Sequence, residues 1–192
     1  MSSQSPVSPG EVTQLLRAQA EGGEAALNHV VSLLYEELKT LAQSQLRRSS
    51  VRNELQTTSL VHEAFEKLSA ANSAEFRNRG HFFAVACRVM RQIVIDTWRA
   101  RMASKRGGGL QVESLHSNLL ADLNDPHRVL RLDEALTQLE QDNEELAEVI
   151  DLSCFGGFSS AEIAELRGTS DRTVQRQLKR ARAWVSHILE NA

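Results

Sequence analysis

Apolar residues recur at steps of three and four along most of the chain. Leu15 and Leu16, then Leu27, Val30, Val31, Leu34, Leu38 and Leu41, keep helical spacing on either side of a break at Gly22-Gly23. After a polar stretch from Ser49 to Gln56, the spacing predicts a helix over about Thr57 to Ala70, with Leu60, Val61, Ala64, Phe65 and Leu68 inward. A polar turn, Glu75 to Gly80, leads into a long helix from about His81 to Ser104. Phe82, Ala86, Met90, Ile93, Val94 and Trp98 form its apolar stripe. Helical pattern resumes near Leu130 and runs to about Leu139, then over Asn143–Cys154, Ser159–Arg167 and Asp171–Glu190. Only the short Leu110-Val112 stretch could pass for a strand. Proline stands at positions 6, 9 and 126 alone, so little interrupts helix.

The pattern predicts an all-α chain of two small helical domains, roughly 10–106 and 128–192. Residues 107–127, opened by Gly107-Gly108-Gly109 and rich in Asn, Asp and Ser, read as a flexible linker. Residues 1–9, rich in Ser and Pro, read as loose.

The sharpest local signal lies between Ser159 and Val174. Ser159 with Glu162 is an S-x-x-E capping box that opens a short helix. Ala164 is small where a second helix must approach. Gly168 suits a left-handed stop, and Ser170 suits a cap for the next helix. Short helix, tight turn and second helix make a helix-turn-helix. In the second helix Val174, Leu178, Ala181, Val185 and Ile188 face inward, which leaves Arg172, Gln175, Arg176, Lys179 and Arg180 outside. Arg and Gln near the start of such a helix carry the donors and acceptors that base edges need. Lys179, Arg180 and Arg182 lie where phosphates would be neutralised.

Charge changes the picture of the first domain. The 192 residues carry a formal net charge of −3, with 24% charged and 41% hydrophobic, an ordinary globular composition. The total hides poles. Residues 77–106 hold eight basic residues against Asp96, whereas residues 111–151 hold eleven acids against Arg128 and Arg131. Arg88 and Arg99 stand three helical turns apart, so they share a face, with Arg91 beside them. Basic side chains among aromatics are a means of holding single-stranded bases. Phe82 and Trp98 fall on the apolar stripe and read as core, so His81 and the turn Asn78-Arg79-Gly80 are the candidates for an opened strand.

Several classes are excluded. No run reaches the length of a membrane span, and the start has neither the basic nor the apolar region of a secretory signal, so the expected compartment is the cytosol. Cys87 and Cys154 form no CxxC and read as small buried hydrophobes. His62-Glu63 begins like H-E-x-x-H, but position 66 is Glu. Gly107-Gly108-Gly109 lacks the Lys-Ser/Thr of a phosphate loop. No catalytic residue, metal site or cofactor is expected, and the chain reads as a binding protein rather than an enzyme.

Four stretches together resemble the extracytoplasmic-function (ECF) sigma factors of bacterial RNA polymerase: Thr58–Phe65, Phe76–Phe83, Ala86–Arg101 and the Ile163–Ala183 helix-turn-helix. Val12–Leu16 and Lys105–Gly109 resemble one subgroup. The resemblance implies that Arg172, Thr173, Gln175, Arg176, Lys179 and Arg180 read the −35 promoter element. It implies that Asn78, Arg79, His81, Arg88, Arg91, Gln92 and Arg99 open and hold the −10 element. It also implies that helix 57–70 docks on the clamp helices of the β′ subunit of core RNA polymerase through Leu60, His62, Glu63 and Glu66. Ser59 and His62 stand where the family often shows an acidic residue and a Gln. Promoter DNA and core polymerase are the implied partners, an anti-sigma factor is a further one, and a membrane is not. The rival reading is a helix-turn-helix regulator with a sensing first domain and no polymerase binding. The acidic middle is expected to keep the free chain from binding DNA until polymerase separates the domains.

Overall fold

The computed structural model describes residues 24–47, 55–70, 76–104 and 126–191, with Gln14 and Ser49 beside them. The Ser/Pro-rich start, the Gly22-Gly23 break, the Lys105–Gly109 run, Leu110-Val112 and the tether up to residue 125 lie outside the described residues. So do most of Val12–Leu16 and of the polar stretch 49–56.

Among the described residues there is helix and no strand, as the periodicity requires. The first half comprises α1 (Glu24–Leu33), α2 (Tyr35–Arg47), α3 (Thr57–Ala70) and α4 (Arg79–Ser104). The second comprises α5 (Pro126–Asp142), α6 (Glu144–Ile150), a π-helical turn (Asp151–Gly156), α7 (Ser160–Arg167) and α8 (Asp171–Asn191).

Two boundaries differ from the sequence expectation, each for a visible reason. α4 starts at Arg79 rather than His81 because Asn78 Oδ1 accepts the His81 N–H at 2.9 Å and the Asn78 carbonyl accepts the Phe82 N–H at 3.0 Å. The helix expected over Asn143–Cys154 is instead α6 followed by the wider π turn. Gly157, at φ 79°, ends that turn, and the Phe158 N–H closes back on the Leu152 carbonyl at 3.1 Å.

α2, α3 and α4 pack on one another through Leu38, Leu41, Leu60, Val61, Ala64, Leu68, Phe82, Ala86, Met90 and Ile93, all buried. Burial of a side chain such as Phe82 stabilises by roughly 1.5–3 kcal/mol. In the second half Leu132, Leu136, Leu139, Leu146, Val149, Ile150, Val174, Leu178 and Val185 form the equivalent interior between α5, α6 and α8.

The two interiors meet in one continuous apolar cluster. The π turn lies against α2 and α4, and α6 and α7 also touch α4. Gln45 Nε2 donates to the Cys87 carbonyl at 2.8 Å, tying α2 to α4. The Phe83 and Phe158 rings meet across the seam with centroids 5.8 Å apart. Both cysteines are buried, as expected, and burial pushes the Cys87 thiol well up, with the Asp151 carboxylate adding to that rise.

Candidate nucleic-acid interface

The helix-turn-helix forms for the reasons written in its sequence. Ser159 Oγ accepts the Glu162 N–H at 3.3 Å, while Glu162 Oε2 accepts the Ser159 N–H at 2.8 Å. The Ser159 hydroxyl also donates to Glu162 Oε2 at 2.7 Å, and this bond together with that from the Ser159 backbone holds the Glu162 carboxyl below its ordinary value. α7 stops at Gly168, which adopts φ 63°, and the Thr169 N–H bonds to the Ala164 carbonyl at 2.9 Å. Ser170 Oγ then accepts the Thr173 N–H at 3.2 Å and starts α8. Ile163, Ala164 and Val174 are buried where the two helices cross.

That packing turns one face of α8 outward. Arg172, Gln175, Arg176, Lys179, Arg180 and Arg182 are exposed, and Thr173 is half-buried with its hydroxyl 2.8 Å from that of Ser170. Gln175 Nε2 donates to Asp171 Oδ2 at 2.7 Å. Among the described residues the five cations of this face make no salt bridge, so they present unneutralised charge to solvent.

The sequence profile of the ECF sigma factor family matches residues 9–191. The chain belongs to the ECF sigma factor family. No curated protein and no solved structure matches it. Membership makes the chain a sigma factor, a DNA-binding component of transcription initiation, and no described helix is long and apolar enough to cross a membrane.

The basic stripe of this sigma factor stands in a different situation from α8. Arg88 bonds to Glu140 of α5, and its Nε lies 3.4 Å from Asp151 of the π turn. Arg91, its side chain 3% exposed, bonds to Asp133 of α5 and stacks over the Phe155 ring with its guanidinium carbon 5.4 Å from the centroid. Arg99 reaches Asp133 at 3.5 Å and Asp96 at 3.0 Å. Arg77 pairs with Glu144 at 3.0 Å and with Glu148 of α6. Arg79 pairs with Glu37 of α2 at 3.2 Å and lies over the Phe83 ring. Gln92 is exposed, whereas Asn78 is half-buried and serves as the cap of α4.

His81 is half-buried between Glu144 and Glu148, at 3.7 and 3.9 Å. Its Nδ1 accepts the Arg77 N–H at 3.2 Å, so the neutral ring carries its proton on Nε2, toward the two carboxylates. Burial, reinforced by Arg77, lowers its basicity. His81, Glu144 and Glu148 bring ligand atoms within 4.8 Å of one another. Arg77 and Arg167 already neutralise these carboxylates, Arg167 at 3.5 Å from Glu148, so a cation has no unmet charge to answer.

Gly80, in the turn expected at the opened strand, lies under α7. A Cβ there would stand 2.9 Å from the Leu166 carbonyl oxygen. Thus Gln92 and the end of the stripe at Arg99 face solvent, while Gly80, His81, Arg88 and Arg91 are covered by the second half.

On α3, His62 and Glu66 are exposed and pair with each other at 3.4 Å, and Glu63 is half-buried. Leu60, expected among the polymerase-binding residues, is fully buried against the core. It fixes the helix in place and offers no surface, since position 60 falls on the same inward stripe as Ala64 and Leu68. The carboxylates that meet the stripe belong to the acidic middle, to which the sequence assigned a collective role in keeping the free chain off DNA and no individual partners. Their signal was the sign contrast itself, eleven acids following eight bases.

Proposed function

We propose that this sigma factor binds core RNA polymerase and directs it to its promoters. In this reading α8 enters the major groove of the −35 element. Arg172, Gln175 and Arg176 contact base edges, Thr173 supports the start of the helix, and Lys179, Arg180 and Arg182 contact phosphates. The observation that carries it is the exposed, unneutralised cationic face of α8, held in a helix-turn-helix whose cap, turn and buried contacts are all in place.

The first half then opens and holds the −10 element through Asn78, Arg79, His81, Arg88, Arg91, Gln92 and Arg99. On α3 the exposed His62 and Glu66, with the half-buried Glu63, meet the β′ clamp helices. The chemistry of nucleotide addition stays with the polymerase, and the chain contributes specificity.

Co-purification with core RNA polymerase, followed by transcription in vitro from genomic promoter fragments, tests the proposal. Transcripts that require both the chain and a defined upstream sequence are expected. Failure to bind core, with no promoter-dependent transcript, would overturn it.

A further inference from the structure

We infer that Arg167, the last residue of α7, is a positioning residue for α8: its guanidinium spans Gln177 of α8 and Glu148 of α6, and so fixes the rotation at which the reading face meets −35 base edges. The inference rests on the −35 role proposed for α8. Arg167 Nη1 donates to Gln177 Oε1 at 3.0 Å, and Arg167 Nη2 lies 3.5 Å from Glu148 Oε2. Gln177 Nε2 in turn donates to Glu145 Oε2 at 3.4 Å. One guanidinium and one carboxamide thus form a strut that joins α6, α7 and α8.

The remaining contacts of α8 leave its rotation soft. Ile163 and Ala164 meet Val174 where α7 and α8 cross, and Leu178, Ala181 and Val185 pack the rest of the helix. Apolar contact is non-directional and tolerates a small turn. A planar guanidinium bonded to two helices does not. Gln177 adjoins Arg176 and stands two positions from Gln175, so the strut acts at the level where bases are read. At a side-chain radius of about 5 Å, a turn of about 10° moves a tip by about 1 Å. That exceeds the spread of about 0.5 Å over which an N–H···O bond stays good. Phosphate contacts from Lys179, Arg180 and Arg182 follow charge on long flexible stems and absorb such a shift.

The strut is itself well held. The Arg167 and Glu148 side chains are 15% and 7% exposed, so salt screens their attraction little. The stem of Arg167 lies over α4, where a Cβ at Gly80 would stand 3.3 Å from Arg167 Cγ. Arg167 and Gln177 are half-buried, whereas Arg172, Gln175, Arg176 and Lys179 are exposed, which separates the positioning pair from the groups that face DNA.

The test uses the full chain assembled with core RNA polymerase, on a promoter fragment recovered by transcription in vitro and on its single-base −35 variants. Arg167→Lys keeps the charge beside Glu148 but, as a point charge, reaches one partner only. Gln177→Leu removes the α8 end of the strut without changing charge, and it carries the test alone should Arg167→Lys fail to fold. Each should lower discrimination between the correct and the altered −35 elements about ten-fold, the worth of about one base contact. Binding to an unrelated duplex and the salt slope should stay as in the parent chain. The double variant should lose no more than either single change, because both break the same strut. Amide NMR of the free chain reads the strut with neither polymerase nor DNA, and Arg167→Lys should shift the α8 amides around Gln177.

Undiminished discrimination, additive losses in the double variant, or α8 amides that do not move overturns the inference. So does an equal loss on every sequence with a shallower salt slope, which would make Arg167 a phosphate contact. A parent chain that selects no promoter, with the α8 amides moving as expected, would sink the −35 reading and leave the strut standing.

Discussion

Arg91 of α4 and Asp151 of the π turn face each other at 3.4 Å with side chains only 3% and 2% exposed, so a full pair of opposite charges lies inside the molecule where its two halves meet. Asp151 continues α6 in α-helical geometry, at φ −61° and ψ −47° with its N–H on the Ala147 carbonyl, so the rotation of α6 itself points the carboxylate inward at the head of the π turn. Burial raises the Asp151 carboxyl, against the opposing pull of Arg91 and Arg88.

Removing one member of this pair leaves the other buried. Asp151→Ala should lower unfolding stability by about 3 kcal/mol, toward the lower end for a broken buried pair because Asp133 still reaches Arg91. Asp151→Asn, which keeps an acceptor in place, should cost less. Urea denaturation checks both, and an Asp151→Ala protein as stable as its parent would contradict the assignment.

Acid should act on the seam through Glu148 and Asp151 with one sign and through His81 with the other. Glu148 is raised, chiefly by burial, so the folded chain holds its proton more tightly than the unfolded chain. Its contribution is present below the ordinary value of 4.5 and is lost as pH rises through its higher folded value. His81 is lowered from 6.5, chiefly by burial and then by Arg77, with Arg88 also opposing its charge and Glu144 favouring it. The unfolded chain then binds the proton more readily, so stability rises with pH through the window that ends near 6.5 and falls on acidification below it. Urea midpoints measured across both windows should show a flatter upper slope in His81→Gln and a flatter lower slope in Glu148→Gln.

Two glycines should respond differently to alanine. At Gly168, φ is 63° and an added Cβ would meet no atom within 4 Å, so the cost is conformational alone, about 1–2 kcal/mol. Gly168→Asn should recover part of it. At Gly80 the obstacle is a backbone carbonyl 2.9 Å away, so Gly80→Ala must displace α7 from α4. Scattering should report expansion for Gly80→Ala and none for Gly168→Ala.

On α8 the position along the helix separates two kinds of contact. Arg176→Ala should cost roughly 1–3 kcal/mol on the correct −35 sequence and relax preference at one base pair. Lys179→Ala should weaken binding to every sequence about equally and lower the salt slope by about one. Equal loss on all sequences for Arg176→Ala would reassign it to phosphate. Binding titrations across a set of single-base promoter variants make the distinction.

Much of this was legible in the chain because it is decided within a turn or two of helix. The S-x-x-E box, Gly168 and Ser170 fix the helix-turn-helix through bonds between residues three or four apart. The inward stripes of α3, α4 and α8 follow from spacing alone. Local pattern also separated Phe82 and Trp98, which are core, from the polar turn before them.

The long-range pairing was not legible. Arg88, Arg91 and His81 read as open contacts because their partners lie 42 to 67 residues away in sequence. No periodicity relates positions so far apart. Leu60 shows the reverse, since its own spacing already placed it inward and only a family resemblance put it at a surface.

By itself, then, the sequence determined the helices, the caps, the exposed basic face of α8 and the presence of two poles of charge. All of these depend on neighbours along the chain or on composition. The tertiary structure decided that the poles meet. It closed the acidic helices on the basic one because burying Phe155, Leu152 and Gly156 against α4 brings Asp133, Glu140 and Asp151 within bonding distance of the arginines. Whether a row of arginines waits for DNA or is already occupied is a question of three-dimensional proximity, and only packing answers it.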